Sequence, residues 1–147
     1  MIRPAAGADL TSLELLWCDY RVEAADGRLA DPLDWRRWIM PRIAAGDVRV
    51  GLVDRMVTAY VAWQRLSARA GTTDRQLSIL ELYVHPTGRG RRIGSGLLAR
   101  AIDAARQRGC SEVLLESNVR DEAVQALACP FGFHLRDDVL VLPLRLG

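Results

Sequence analysis

The residues best suited to chemistry fall in one stretch, Leu80-Glu-Leu-Tyr-Val-His-Pro-Thr-Gly-Arg-Gly-Arg-Arg-Ile-Gly-Ser-Gly-Leu-Leu98. An apolar run ending at Val84 reads as a strand. Ile93, Leu97, Leu98, Ala101, Ile102 and Ala105 form the apolar stripe of a helix. Between them, Arg89, Arg91 and Arg92 are interspersed with glycines. The first turn of a helix carries amides with no intrahelical partner and the positive end of the helix dipole, so this junction can bind an anion such as a pyrophosphate. Glycine lets phosphate oxygens approach the backbone, and forked guanidinium groups add charge-assisted hydrogen bonds. A solvated basic loop with no ligand would carry the same charges. The glycines stand at 88, 90, 94 and 96, which does not give G-x-G-x-x-G, and no acidic residue follows at the dinucleotide-binding distance.

Two carboxylates accompany the junction. Glu81 lies in the strand itself, where alternation sets it on one face with Ile79 and Tyr83, opposite Leu80, Leu82 and Val84. Glu116 follows the short apolar run Val113–Leu115. Either could serve as a general base beside a bound ligand, and either could be an ordinary solvated or ion-paired glutamate. Trp35 and Trp38 could hold a cation against their ring faces, or pack as core. His85 reads as a cap on the strand end, His134 is isolated, and the chain shows no metal-ligand spacing, so no metal is expected.

These residues need a scaffold, and 147 residues with 50% hydrophobic and 26% charged side chains suit one domain, 1–147, with an ordinary core. All twenty positive charges are arginine. Without lysine, a Walker-type phosphate loop, a Schiff base and a Ser/Lys dyad are excluded. The net charge of +2 lacks the basic excess of a dedicated nucleic-acid binder, yet without the three loop arginines it would be −1. Cys18, Cys110 and Cys129 are an odd set with no C-x-x-C pair, and Cys129 reads as a packed thiol. With no basic-then-apolar leader and no run of 18 apolar residues, the expectation is a soluble cytoplasmic protein.

Along the chain, Ile2 and Arg3 begin a first strand. Thr11 and Glu14 have capping-box spacing before a helix with Leu13, Leu16, Trp17 and Tyr20 on one face. Asp31, Pro32 and Asp34 start a second helix that Gly46 stops. Val48–Val53, Arg55–Gln64 and Gln76–Val84 read as strands, with a hairpin at residues 53–55 and a loose turn over 67–74. The helix from Ile93 ends at Gly109, Val113–Leu115 reads as a strand buried on both faces, and a short helix runs from Asp121 to Ala128 before Pro130. Phe133–Arg136 and Val139–Leu146 close the chain as a hairpin whose edge offers a homodimer contact. The order is βααβββαβαββ, an α/β domain with a mixed sheet.

The loop and its setting resemble the acetyl-CoA-binding core of the GNAT superfamily of N-acetyltransferases, in which a strand runs into [Q/R]-x-x-G-x-[G/A]. Arg89 and Gly94 match and Arg92 replaces the first glycine; a second register, Arg91-x-x-Gly94-x-Gly96, matches the formula but lies two residues further from the strand. The element order and the Gly132-Phe133 pair before the last hairpin extend the resemblance over nearly the whole chain. It implies a mostly antiparallel central sheet flanked by helices, and acetyl transfer from acetyl-CoA to a primary amine of a small molecule or protein N-terminus in a ternary complex. It further implies that Leu82, Tyr83 and Val84 offer backbone groups to the pantetheine arm, while the amides from Gly90 through Arg91, Arg92, Ile93 and Gly94 to Ser95 hold the pyrophosphate. Asp121 stands where the family has a cofactor-contacting asparagine, although an N-cap is the simpler reading. Trp35 and Trp38 lie on the helix that borders the acceptor site. Glu81 or Glu116 is the base, Glu116 matching the base position of ribosomal-protein N-terminal acetyltransferases. The family's tyrosine acid is replaced by Ala128. That departure keeps open a CoA-binding module without turnover. The arginine loop also leaves a weaker reading, a nucleic-acid-binding domain.

Overall fold

The computed structural model describes residues 1–24, 31–66, 75–116 and 119–144. Its elements follow the expected order: β1 Ile2–Pro4, α1 Leu10–Ala24, α2 Pro32–Ala44, β2 Val48–Val53, β3 Met56–Leu66, β4 Gln76–Val84, α3 Ile93–Gln107, β5 Glu112–Leu115, α4 Glu122–Ala128, β6 His134–Arg136 and β7 Val139–Pro143. The turn expected over 67–74 and the end of the last strand beyond 144 lie outside the described residues. No helix among those described is long and apolar enough to cross a membrane.

The strands form one seven-stranded sheet in the order β1-β2-β3-β4-β5-β7-β6. Every pairing is antiparallel except β4 with β5, which are joined by the crossover through α3. β3 runs through the middle and is buried on both sides, sending Val61 and Trp63 to one face and Tyr60 and Ala62 to the other. On the first face α3 packs through Leu97, Leu98, Ala101, Ile102 and Ala105. On the second, α1 and α2 bring Leu13, Leu16, Trp17, Tyr20, Trp35 and Ile39. Each fully buried side chain of this size is worth roughly 1.5–3 kcal/mol, so two stripes of them fix the helices to the sheet.

Local features depart from the sequence reading at the start of α1, in β5 and in β4. The capping box at Thr11 and Glu14 does not form, because a 3₁₀ turn over Gly7–Asp9 leads directly into α1 and places Thr11 inside the helix. Asp9 is the capping residue instead: Oδ2 accepts from the Ala6 amide at 2.8 Å, and the carboxylate receives both Arg3 Nη atoms at 2.8 and 3.0 Å. Glu14 accepts from Arg36 Nε at 2.6 Å, tying α1 to α2. β5 is covered fully on one face only, since Leu114 is partly exposed between buried Val113 and Leu115.

The feature with most consequence is in β4. Ala62 pairs with Glu81 but the next residue, Trp63, pairs with Ile79, so Leu80 is an extra residue in β4. Such a bulge re-aims the side chains that follow it. Ile79 therefore joins the α3 core while Glu81 and Tyr83 face α1 and α2, not one shared face as alternation predicts.

Candidate active site

β4 and β5 pair only from Gln76↔Glu112 to Ile79↔Leu115, and the Glu116 amide donating to the Ile79 carbonyl at 3.0 Å lies at the end of that ladder. Beyond it β4 continues to Val84 with β3 alone as its partner, so one edge of Leu82–Val84 has no strand beside it. Backbone polar groups on such an edge need a partner from elsewhere. The gap opens into a cleft of about 500 Å³. Leu82, Tyr83 and Val84 form one wall, with Arg89, Gly90 and Arg92 from the loop and Ile93, Gly94 and Ser95 from the first turn of α3. α4 forms the other wall through Val124 and Leu127, and its N-cap residue Asp121 also reaches the cleft.

The chain reaches α3 through strained and tightly packed steps. His85 caps a 3₁₀ turn over Pro86–Gly88, its Nδ1 accepting from the Thr87 amide at 3.2 Å. Gly90 has φ +79° and Arg92 φ +61°, both left-handed, and Arg92 caps α3 with no side-chain hydrogen bond. The Gly96 amide, bonded to the Arg92 carbonyl at 3.1 Å, closes the first turn. The amides of the preceding residues therefore have no helical acceptor, and Ile93, Gly94 and Ser95 line the cleft. Gly94 belongs to this surface: a Cβ there would lie 3.3 Å from Leu127 and 3.5 Å from Val84. Gly96 faces β1, where a Cβ would come within 2.5 Å of Ile2. The geometry thus fits the register of Arg89 with Gly94.

The three arginines separate. Arg89 Nε donates to the Val84 carbonyl at 3.0 Å and Nη2 to Glu23 at 2.6 Å. Arg92 lines the cleft and has no ion-pair partner among the described residues. Arg91 does not line the cleft; it faces a groove on the other side of the loop, between α1 and the β2–β3 hairpin, because the left-handed residues on both sides of it turn the chain there.

Glu81 is held by two donors that the sequence did not reveal. Trp35 Nε1 at 2.9 Å and the Tyr60 hydroxyl at 3.1 Å both donate to Oε1. Burial, with the Glu81 charge next, pushes the Tyr60 phenol well above its ordinary range, so it remains a donor. Trp35 is fully buried and stacked on Trp17 at 5.1 Å, and the Arg42 guanidinium covers the Trp38 ring at 4.3 Å. The two rings thus form no open pair for a cation: Trp35 is a clamp on Glu81. Glu116 is exposed at the end of β5 and accepts from the Ser78 hydroxyl. Ser78 alternates with Leu77 and Ile79 of the α3 core, so Glu116 and Glu81 both approach from the α1/α2 face. Ala128 is buried in the core, and Cys129 is exposed instead of packed because the 3₁₀ turn at Cys129–Phe131 rotates it outward. Asp121 caps α4, its Oδ1 accepting from the Ala123 amide at 2.7 Å.

Residues 11–133 match the model of the acetyltransferase (GNAT) family. The fold is shared with yncA, a putative acetyltransferase from Salmonella typhimurium solved with its cofactor acetyl-CoA, at a TM-score of 0.77 and 21% identity over 100% of this chain and 95% of that one. A ribosomal-protein-alanine N-acetyltransferase from Brucella melitensis superposes with a TM-score of 0.77 and 24% identity, covering 98% and 99% of the two chains. Arabidopsis thaliana Naa50, in complex with a bisubstrate analogue of CoA and a peptide, gives 0.74 and 19% over 98% of each chain. Among curated proteins, no sequence matches.

Proposed function

The chain belongs to the acetyltransferase (GNAT) family, and from that premise we propose that it moves an acetyl group from acetyl-CoA to a primary amine by direct attack in a ternary complex. One observation carries the reading: the splayed edge of β4 runs into an α3 N-terminus that no side chain caps. A cofactor with a diphosphate at one end and amide groups along its arm fits both halves of that surface. The amides of α3 would hold the diphosphate, and the backbone of Leu82–Val84 would pair with the arm. Acetyl-CoA, when bound, supplies an activated thioester. Asp121, Gly90 and Arg92 complete the walls around it.

The chain's own residues then manage protons. An acceptor arrives as an ammonium and must lose a proton before its nitrogen can attack. Glu81, oriented by Trp35 and Tyr60, and Glu116, oriented by Ser78, are the two carboxylates able to take it, directly or through water. The departing thiolate is a good leaving group and takes its proton from solvent, since Ala128 offers no hydroxyl. The acceptor is an amine of a small molecule or of a protein N-terminus; the relatives that act on ribosomal-protein alanine or hold a peptide analogue support the latter. The free thiols Cys18, Cys110 and Cys129 suit the cytoplasm. Self-association through the β6 edge belongs to the same proposal.

A second reading, a CoA-binding module without turnover, is favoured by Ala128 alone. Incubation with acetyl-CoA and a panel of amines and peptides, followed by mass spectrometry, separates the two. Acetylated product above the uncatalysed rate is expected, and its loss by about 10²–10⁴-fold in Glu81→Gln or Glu116→Gln identifies the base. Product at the uncatalysed rate across the panel would leave the module.

A further inference from the structure

We propose that Glu23 sets how tightly the cofactor's diphosphate binds, by holding Arg89 in a latch that the diphosphate must open. This rests on reading the cleft as the acetyl-CoA site. Of the three loop arginines, Arg91 faces away from the cleft, so only Arg89 and Arg92 can meet an anion there by side chain. Arg89 is already engaged. Its Nη2 lies 2.6 Å from Glu23 Oε2, and its Nε is bonded to the Val84 carbonyl. Glu23 comes from the last turn of α1, far away in sequence, and its side chain lines the same cleft as the α3 amides. The surface meant for an anion therefore carries a carboxylate that neutralises one cation and repels the incoming phosphates.

The arrangement has the properties of a latch. Both partners are about half exposed, at 51% and 43% of their side-chain surface, so the pair is weak and sensitive to salt. A diphosphate offers Arg89 more charge than one carboxylate does, with forked geometry to match the guanidinium. The released carboxylate has a second partner ready. The Tyr83 hydroxyl is buried with no close hydrogen-bond partner among the described residues, and it faces the Glu23 carboxylate. Burial first, then the charges of Glu23 and Asp19 and the Glu23 oxygen as a nearby acceptor, push it up to about 12, so it stays protonated and able to donate. Tyr20 stacks on the Tyr83 ring at 5.5 Å and keeps it in place beside α1. Glu23 thus has the Tyr83 hydroxyl beside it as a second donor, to which it can close fully once the diphosphate takes Arg89.

The test is calorimetric titration of CoA, and of pantetheine lacking the diphosphate, into the wild type, Glu23→Gln, Arg89→Gln and the double variant. Glu23→Gln is expected to bind CoA about three- to tenfold more tightly, the scale of one removed charge near a partly screened anion. Pantetheine affinity should not change, because the latch acts on the phosphates. In the Arg89→Gln background the gain from Glu23→Gln should shrink, since no guanidinium is left to release. Melting of each protein without ligand checks that the exposed substitutions leave the fold intact. Equal or weaker CoA binding by Glu23→Gln overturns the latch, the weaker case making Glu23 a brace that positions Arg89. CoA binding by neither protein overturns the cofactor reading and the latch with it.

Discussion

Arg92 shows how one residue can depart from a family pattern without disturbing its geometry. Its φ of +61° is the left-handed conformation that glycine adopts without strain, and glycine is what the pattern has there. The side chain is tolerated because it points into an open cleft. Arg92→Gly is therefore expected to raise stability by about 1 kcal/mol in urea unfolding, since the strain of a non-glycine residue there is of that order. CoA affinity should fall at the same time, because a cleft arginine that has no salt bridge among the described residues is lost. A gain in affinity would show that the amides act alone and the guanidinium only obstructs. Glu81 could be picked from the sequence as a carboxylate in the strand beside the loop, but its holders could not. Trp35 lies 46 residues away, and its ring is placed by stacking on Trp17. Trp35→Phe keeps the stacked ring and removes the N–H donor. It should cost about 1.5–3 kcal/mol of stability, the net worth of one hydrogen bond to a charged group. If Glu81 is the base, kcat should fall more than KM rises in steady-state assays.

At the scale of elements, the helices and strands were legible because their apolar periods are clear and their caps local. Asp31, for example, accepts from the Leu33 amide at 2.9 Å as its place before Pro32 predicts. What was not legible depends on pairing between distant segments. The Leu80 bulge is defined by the register of β4 on β3, and a period of two read along one strand cannot show it. The start of α1 is not legible locally: the Thr11/Glu14 spacing is a valid local signal, whereas Asp9 wins through Arg3, a residue of β1. That cap has a pH signature. Hydrogen bonding to Arg3 holds the Asp9 carboxyl below its ordinary value, so its contribution is present above about pH 4 and is lost as pH falls through the lowered value. Asp9→Ala should therefore destabilise the protein by about 1–2 kcal/mol at pH 7, with the difference from wild type narrowing in acid denaturation below pH ~4. A difference that stays constant with pH would make the loss one of packing alone. The two glycines of α3 separate function from fold in the same way. Gly94→Leu should fill the cleft against Leu127 and Val84 and remove CoA binding. Gly96→Leu should collide with Ile2 and cost about 1–3 kcal/mol by overpacking.

For the whole molecule, the cleft and the core are one construction, because the surface that would hold the cofactor joins elements that otherwise touch little. β4 and β5 share a ladder only as far as Ile79 and Leu115, α4 is seven residues long, and the end of α1 reaches the phosphate loop through the exposed Glu23–Arg89 pair. A ligand lying along β4, against α3 and under α4 would bridge all of them, so binding should be read as global stability. At a concentration about 100 times Kd, a ligand that binds only the folded state adds ~2.7 kcal/mol, and for a domain near this size each kcal/mol raises Tm by roughly 2–4 °C. Acetyl-CoA is therefore expected to shift Tm by about 5–10 °C at saturating concentration. The shift should shrink as salt rises from 0.05 to 0.5 M, because the anion is met by amides and by exposed arginine and not by a buried ion pair. The absence of lysine sharpens this: with twenty arginines and no lysine, every strongly cationic side-chain contact to the diphosphate must come from guanidinium groups. Pantetheine, sharing the arm but not the charge, should give a smaller shift that salt does not change. A shift from CoA as insensitive to salt as that of pantetheine would mean that the uncapped end of α3 is not where the diphosphate lies.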